Sequence, residues 1–284
     1  MNKTELIAAV AEKSGLTRKD SEKAVLAARV IDRPIRPLFP KDMRNDVGIV
    51  ATVMSVDPDC LPEITAMIGV SIALSISPIP WAGPISGVSV GLVDGKFVIN
   101  PTAAEREKSE MAVTVASTDE LIAMIEAGAN EIDNDTMFDA IMFGHKENQR
   151  MVEFIKGIQK EIGKPKVDFP SNDPSPEMYE AVKEFAIDDV KAALDTDDKR
   201  VRDERLLPIY AAVHEKFDEQ FPEETAKLDD CLYKLQKYIV RRWLLDENKR
   251  VDGRGIDEMR PLDAQVDLLS RVHGSGMFTR GQTQ

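Results

Sequence analysis

The chain has 284 residues, and its 37 Lys or Arg against 50 Asp or Glu give a formal net charge of −13. Its composition, 43% hydrophobic and 31% charged, is typical of a globular protein and excludes a disordered or collagen-like chain. A protein that coats nucleic acid is basic over its whole surface, so this chain can bind a polyanion only through a local patch.

Cysteine content and apolar runs indicate the compartment. Cys60 and Cys231 are too few for a disulfide framework, which predicts a reducing, cytoplasmic location. Residues 1–15 are too mixed in charge for a signal peptide. The uncharged stretch 64–93 is interrupted by prolines, which favours a buried helix and a turn over a membrane span.

The first elements are two helices. Residues 2–14 predict a short amphipathic helix that ends at Gly15. Thr17 then predicts the cap of a second helix, which runs to about Ile31.

A proline-rich segment follows these helices. Arg33 and Arg36 each precede a proline, and a residue in that position is disfavoured in helical geometry. The segment 33–40 is therefore predicted to be an extended, stiff connector.

The next elements are predicted from β-branched runs, turn residues and helix caps. In chain order they are a strand at 47–56, a helix at 62–77, a hairpin of 88–92 with 97–99 turned at Asp94-Gly95, a strand at 111–116, a helix capped by Thr118 to about Asn130, and a helix at 136–162.

The second half of the chain changes character twice. Residues 166–176 are a linker by composition, and an all-helical stretch follows to about Asp246. Between 171 and 230 there are 18 Asp or Glu against 8 Lys or Arg, so this bundle is a poor place to bind RNA or DNA. Residues 251–284 are rich in Gly and Arg and predict a strand or hairpin.

One candidate binding patch consists of arginines beside prolines. Between 29 and 44 there are five bases and two acids, and the bases are Arg29, Arg33, Arg36, Lys41 and Arg44. A guanidinium matches phosphate oxygens with two parallel hydrogen bonds, and proline stiffens its support. The alternative is that these arginines pair with acids of the helical bundle.

A second candidate patch lies near residue 280. Arg271, His273 and Arg280 are separated by glycines, which allow backbone and ligand to approach closely. The alternative is a glycine-rich turn between strands with surface arginines. The chain has no P-loop, G-x-G-x-x-G or H-E-x-x-H motif, and no Cys or His pair with zinc spacing.

Several ordered blocks resemble the bacterial polynucleotide phosphorylases. The longest are SEKAVLAARVIDRPIRPLFP at 21–40, KRVDGRGIDEMRPL at 249–262 and RVHGSGMFTRGQTQ at 271–284, and shorter blocks lie at 51–59, 66–77, 83–91, 99–102 and 142–145. Subunits of that family have two RNase PH-like α+β domains joined by an all-helical domain, then KH and OB-fold domains. Three subunits form a ring around an RNA channel.

The resemblance implies an α+β fold with four segments. These are an N-terminal stretch at 1–20, a partial first RNase PH-like domain at 21–165, an all-helical domain at 166–248 and the beginning of a second RNase PH-like domain at 249–284. The stretch at 1–20 is itself similar to the start of the HU-type nucleoid proteins.

The resemblance also implies a reaction. Inorganic phosphate attacks the 3′-terminal phosphodiester of single-stranded RNA and releases a nucleoside diphosphate, with Mg²⁺ stabilising the transferring phosphoryl group. Arg29, Arg33 and Arg36 match arginines after the family's RNA-gripping loop and are expected to contact RNA or phosphate. Arg271, His273 and Arg280 match the opening of the second core domain, which contains the active site.

The departures from the family pattern limit what this chain is expected to do. The aromatic–arginine loop, the serine-rich phosphate loop, the metal-binding aspartates and the KH and OB-fold domains have no counterpart in the sequence, and 111–118 differs from the usual strand. We therefore assign no catalytic residue with certainty, and we expect no metal-binding residue here and an inactive fragment. The alternatives are a non-catalytic fragment for RNA binding or subunit association, and an HU-like DNA-binding protein.

Overall fold

The computed structural model describes residues 3–281 and Thr283, and it divides into one unit up to Ser171 and a second from Asn172 onward. The first unit contains α1 (Lys3–Ser14), α2 (Arg18–Ile35), α3 (Pro62–Ile76), β1 (Ser86–Val93), β2 (Lys96–Ile99), α4 (Ala103–Lys108), β3 (Met111–Ser117), β4 (Ile122–Ala129) and α5 (Asn134–Ile162). The second contains α6 (Pro176–Leu194), α7 (Lys199–Phe217), α8 (Ala226–Asp246), β5 (Leu262–Val266) and β6 (Gly276–Arg280).

The first unit is built on a four-stranded antiparallel sheet in the order β2-β1-β3-β4. The turn between β1 and β2 needs two left-handed residues, and Asp94 and Gly95 supply them with φ of 51° and 71°. Buried valines of β1 and β3 form one core with Ala140 of α5. A second core joins Ile35 of α2, Met67 of α3 and Trp81.

Helix α5 lies close against the sheet at Gly144. A Cβ atom at this position would lie 2.9 Å from Val90 Cγ2 and 3.1 Å from Val115 Cγ2, which is too close for an unshifted contact. The glycine therefore sets the distance between α5 and the strands, and a larger residue would force them apart.

The second unit has its core between α6, α7 and α8. Leu228, Leu232 and Leu235 of α8 are fully buried against Val182 of α6 and Val213 of α7. Side chains cap the first two helices: Ser175 accepts from the backbone N–H of Met178, and Asp198 accepts from those of Arg200 and Val201.

Several predicted elements are confirmed. Helices α1, α3 and α5 lie at the positions expected from the sequence, the all-helical stretch ends at Asp246, and the hairpin turns at Asp94-Gly95. Thr17 accepts from the backbone N–H of Asp20, and Gly15 adopts a φ of +70°. Within the described residues, no helix combines the length and apolar character that crossing a bilayer requires.

The extended connector predicted for 33–40 is wrong. Helix α2 continues through Arg33 and Pro34 to Ile35, and a short 3₁₀ turn (Arg36–Leu38) follows. A proline in the last turn removes a single backbone donor, and Arg36 still donates to the carbonyl of Asp32. Ile35 is buried in the core, so packing outweighs the local preference.

The strand predicted for 47–56 is also wrong. The segment 43–57 has no regular secondary structure, and none of the described strands pairs with it. β-Branched residues favour a strand only where a neighbouring strand completes the hydrogen-bond ladder. Val50 and Met54 are about nine-tenths exposed, at 90% and 89%, beside an open cavity of about 840 Å³ over α3.

The helix predicted from Thr118 to Asn130 is a strand. The Thr118 hydroxyl accepts from the backbone N–H groups of Glu120 and Leu121, at 3.2 and 2.9 Å, and so closes a tight turn. The chain then reverses into β4, which pairs with β3 along its length. The same side-chain oxygen that would cap a helix here stabilises the turn between two strands.

We expect the second unit to resist proteolysis longer than the first. Its helices make local contacts around a buried core, whereas 43–57 lacks a hydrogen-bonded ladder. Limited digestion followed by mass spectrometry should show first cuts in 43–57 and a persistent fragment covering about 176–246.

Leu235→Ala should lower the free energy of unfolding by about 2–5 kcal/mol and remove that resistance to proteolysis. The exposed Leu245→Ala serves as its control, and early cleavage within α8 of the wild type would contradict the prediction.

His214 gives the second unit a pH-dependent stability. Its Nδ1 lies 2.8 Å from Asp218 Oδ1 and its Nε2 lies 3.1 Å from Asp229 Oδ1. Only the imidazolium donates from both nitrogens. Both hydrogen bonds raise the pKa of His214 above its ordinary value, and the one to Asp218 contributes most.

Because the folded pKa of His214 is raised, its contribution to stability is complete below the unfolded pKa of about 6.5 and is lost as pH rises through the folded value. Urea midpoints at pH 6 and pH 8.5 should therefore differ more in the wild type than in His214→Gln. His273→Gln, in an exposed loop, should behave like the wild type. If the urea midpoint of His214→Gln depends on pH as much as that of the wild type, the two hydrogen bonds of His214 do not cause that dependence.

Candidate functional site

The arginines of α2 lie on one side of the helix. Arg29, Arg33 and Arg36 follow one another at spacings of four and three residues, which places successive side chains one above the other. All three are exposed. Ile35 at the end of α2 is buried in the first unit, as is Val25 one turn before Arg29.

The end of α2 is fixed by a buried hydrogen bond. The indole Nε1 of Trp81 donates to the carbonyl of Ile35 at 3.0 Å, and the backbone N–H of Ala82 donates to Leu38 at 2.9 Å. These bonds attach the last turn of the helix to a loop that is itself part of the core. The arginine row therefore stands on a rigid support.

Two of the three arginines have carboxylate partners. Arg36 Nη2 lies 2.6 Å from Asp32 Oδ2, and Arg33 Nη1 lies 3.5 Å from Glu126 Oε2. All four side chains are more than 40% exposed, so water screens both pairs. Both partners belong to the first unit and not to the acidic bundle. Arg29 forms no ion pair within the described chain, and an anion could displace the exposed carboxylates.

The second predicted cluster is spread along a hairpin. Strands β5 and β6 pair from Leu262↔Arg280 to Val266↔Gly276, and Arg271 and His273 lie in the exposed loop between them. Arg280 is at the other end of β6, about 14 Å along the strand from the loop. The structure thus does not bring the three side chains together, and their role in binding stays a prediction. The turn between strands that the sequence offered as the alternative is present.

A buried polar cluster in the first unit was not singled out from the sequence. His145 Nδ1 lies 2.9 Å from Ser117 Oγ, and Asn148 donates to the carbonyl of Val115 at 2.9 Å. Ser86, which faces Ser117 across β1 and β3, has an Oγ without a hydrogen-bond partner among the described atoms. The hydrogen bonds join α5 to the sheet, which is a structural role. Serines at paired strand positions followed by a histidine in a helix are the signal that could have found it.

The described residues do not fit a magnesium site. Mg²⁺ prefers oxygen ligands from carboxylates. Within residues 3–281 and Thr283 no three His, Cys, Asp or Glu side chains come close enough to hold a metal ion. No chemical step is therefore assigned to a metal held by these residues.

Family models match three successive parts of the chain. Residues 4–80 match domain 1 of the 3′ exoribonuclease family, and residues 83–147 match domain 2 of the same family. Residues 177–255 match the model described as polyribonucleotide nucleotidyltransferase, RNA binding domain. The first match includes most of the stretch at 1–20, whose likeness to HU-type proteins stays a prediction. These matches define an RNase PH-like unit followed by a helical domain.

Curated relatives extend the similarity along the chain. The polyribonucleotide nucleotidyltransferase of Ruminiclostridium cellulolyticum is 54% identical over 266 residues, or 94% of this chain. The proteins of the same name from Lachnoclostridium phytofermentans and Bacillus pumilus are 51% and 48% identical over 267 and 268 residues. In each case the matched part is 38% of the relative.

This similarity shows that the chain belongs to the bacterial polyribonucleotide nucleotidyltransferase family, the polynucleotide phosphorylases, over 94% of its length. It spans 38% of the length of these relatives. The RNase PH-like and helical domains that the sequence blocks implied are thereby confirmed.

The arginine row can be tested by its salt dependence. If Arg29, Arg33 and Arg36 each contact a phosphate, changing all three to Ala should flatten the slope of log K against log salt by about 2 for a single strand. Oligo(A) and oligo(U) should weaken to a similar degree, because backbone contacts contain no sequence information. The measurement is fluorescence anisotropy of labelled oligonucleotides at several salt concentrations.

A matched control removes the same charge elsewhere in the first unit. Lys108, Lys160 and Lys164 are exposed, and changing them to Ala should leave the slope nearly unaltered. If the arginines act only through ion pairs with acids, their triple variant will melt at a lower temperature with an unchanged slope. That result in a folded variant would exclude the contact with RNA.

Proposed function

We propose that this chain is the part of a 3′-to-5′ RNA phosphorolytic enzyme that binds single-stranded RNA by its backbone. The observation that supports this most strongly is the 48–54% identity to polyribonucleotide nucleotidyltransferases over 94% of the chain. In the proposed reaction inorganic phosphate attacks the phosphorus of the 3′-terminal phosphodiester and the P–O3′ bond breaks. The shortened RNA leaves with a free 3′-hydroxyl, and the terminal nucleotide is released as a nucleoside diphosphate. Arg29, Arg33 and Arg36 bind and orient the strand.

The finer features of the proposal come from the family resemblance. They are a homotrimer around an RNA channel, a requirement for Mg²⁺, and action in the cytoplasm. Because the carboxylates of the described residues do not gather into a metal site, no residue of this chain is assigned to the Mg²⁺. The contribution of this chain is binding and positioning.

A second candidate is a non-catalytic fragment for RNA binding or subunit association. It is favoured by the placement of the candidate phosphate-contacting groups. Within the exposed hairpin of the second unit, Arg271 and His273 lie in the loop and Arg280 lies at the other end of β6, so these side chains do not gather into one site. This candidate and the enzyme differ in chemistry and not in RNA affinity, so only an activity measurement separates them.

We expect the isolated 284-residue chain to show little or no phosphorolysis. It spans 38% of the length of its relatives, and its described residues offer no metal cluster. The assay measures release of nucleoside diphosphate from poly(A) with phosphate and Mg²⁺. Turnover close to that of a full-length relative would contradict this expectation.

The enzymatic role itself is tested in a chimera. The matched 266 residues of the Ruminiclostridium cellulolyticum protein are replaced by those of this chain, which are 54% identical. The chimera should release nucleoside diphosphate, and the same chimera with Arg29, Arg33 and Arg36 changed to Ala should need more RNA for half-maximal rate. A folded, trimeric chimera without activity would refute the proposed function.

A further inference from the structure

We call the second unit the helical unit, and it has two regions of opposite charge. Residues 171–230 contain an excess of ten acids, whereas residues 231–255 contain seven Lys or Arg and three Asp or Glu. Most of the basic residues of this second region lie on α8. A domain that is acidic as a whole therefore has one helix with positive character.

The exposed side of α8 combines cations with aromatic rings. The chain has four tyrosines, all in the helical unit, and the two most exposed are Tyr233 and Tyr238 at 54% and 42%. We name this side the α8 surface, and it consists of Tyr233, Lys234, Lys237, Tyr238, Arg241 and Arg242. The buried side of α8, with Leu235, Ile239 and Trp243, holds the helix in the core.

Two cations of the α8 surface are not neutralised. Lys234 pairs with Asp173 at 2.8 Å and Arg242 with Asp246 at 2.6 Å. Lys237 and Arg241 have no carboxylate within 4.0 Å among the described residues. They are four residues apart, so they project from the same side of the helix about 6 Å apart along its axis.

The aromatic rings are already arranged beside cations. The ammonium of Lys237 lies 3.9 Å from the centre of the Tyr233 ring, and that of Lys183 on α6 lies 5.4 Å from the centre of the Tyr238 ring. These contacts restrain the side chains in the free protein, which reduces the entropy lost on binding. A nucleobase can stack on the exposed part of each ring while the cations hold the backbone.

We propose that the α8 surface is a second binding surface for single-stranded RNA, separate from the arginine row of α2. The proposal rests on the proposed function, which supplies the class of ligand, and assigns part of the binding to named residues of the helical unit. The ligand is expected to be any single strand, because stacking and phosphate contacts do not read sequence.

Charge complementarity favours RNA over a protein partner. Tyrosine and arginine are also enriched in protein–protein interfaces, so the residue types alone do not decide the partner. The unpaired cations Lys237 and Arg241 beside exposed aromatic rings are typical of single-strand binders. The acidic remainder of the unit repels a polyanion and so restricts the strand to α8.

The test uses the full chain and fluorescence anisotropy with labelled oligo(U) and oligo(A) at several salt concentrations. Lys237→Gln with Arg241→Gln should flatten the salt slope by about 1.4, as two phosphate contacts require. Tyr233→Leu with Tyr238→Leu should weaken binding about fivefold or more for each base that stacks, while Tyr233→Phe with Tyr238→Phe should retain it.

The matched control is Lys199→Gln with Arg202→Gln in the first turn of α7, which removes the same charge from the same unit. An equal effect in this control would mean that only net charge matters, and the proposal would fall. It would also fall if folded α8 variants, checked by circular dichroism and melting, bound RNA like the wild type. Loss of self-association in ultracentrifugation with unchanged RNA binding would assign the surface to protein contacts instead.

Failure here is distinguishable from failure of the proposed function. If the α8 variants behave like the wild type while the triple arginine variant weakens binding, the proposed function stands and the α8 surface does not bind RNA. If the wild-type chain binds neither oligonucleotide, both RNA surfaces are refuted in this chain, and the activity of the chimera then decides the enzymatic role by itself.

Discussion

A net charge of −13 restricts how this protein can hold a polyanion. Phosphate binding requires cations that are gathered in one place and left partly free of carboxylates, because salt screens a cation that lies more than about 10 Å from the phosphate at 0.1 M ionic strength. In the first unit, the side of α2 that bears Arg29, Arg33 and Arg36 gathers cations in this way. In the second unit, Lys237 and Arg241 on α8 are neighbouring cations without a carboxylate partner among the described residues. The distribution of charge, more than its total, determines where RNA can bind.

Packing determines the geometry of the arginine row. Local preference ends α2 before Pro34, but the buried side chain of Ile35 and the hydrogen bond from Trp81 extend the helix by a further turn. That turn keeps Arg33 and Arg36 in line with Arg29. A connector in extended conformation would have alternated its side chains between two directions. The core of the first unit thus positions the exposed arginines through the contacts of Ile35 and Trp81 at the end of the same helix.

Elements with strong local signals could be predicted from the sequence, and elements that depend on distant partners could not. Neighbouring residues determine the cap at Thr17, the turn at Asp94-Gly95 and the burial of apolar residues every three or four positions along α8. The segment 47–56 has strand composition but no strand beside it. Thr118 has a side chain suited to either a helix cap or a turn, and pairing of β4 with β3 decides between them. Sequence alone contains no information on which strand is available.

The same distinction applies to the candidate residues. Their chemistry is visible in the sequence, since arginine is always charged and suits phosphate. Their arrangement is not visible in the sequence. Arg29 and Arg33 come together with Arg36 at the end of α2, while β5 and β6 place Arg280 at the opposite end of the hairpin from Arg271. The excess of acids lies within residues 171–230, whereas the cations of α8 lie at 234–242. The poor RNA binding predicted for the whole bundle therefore does not describe the last helix.

Binding of RNA and catalysis of its phosphorolysis make different demands on a polypeptide. Backbone contacts bind the RNA of substrate and transition state alike, and such uniform binding lowers the concentration needed without accelerating the chemical step. Rate acceleration requires groups placed at the phosphorus atom that becomes charged, such as a metal ion or donors aimed at its oxygens. The described residues place exposed cations on α2 and α8, and they bring no three His, Cys, Asp or Glu side chains close enough to hold a metal ion. The proposed RNA binding and the proposed phosphorolysis are therefore separate questions for this chain, and each needs its own measurement.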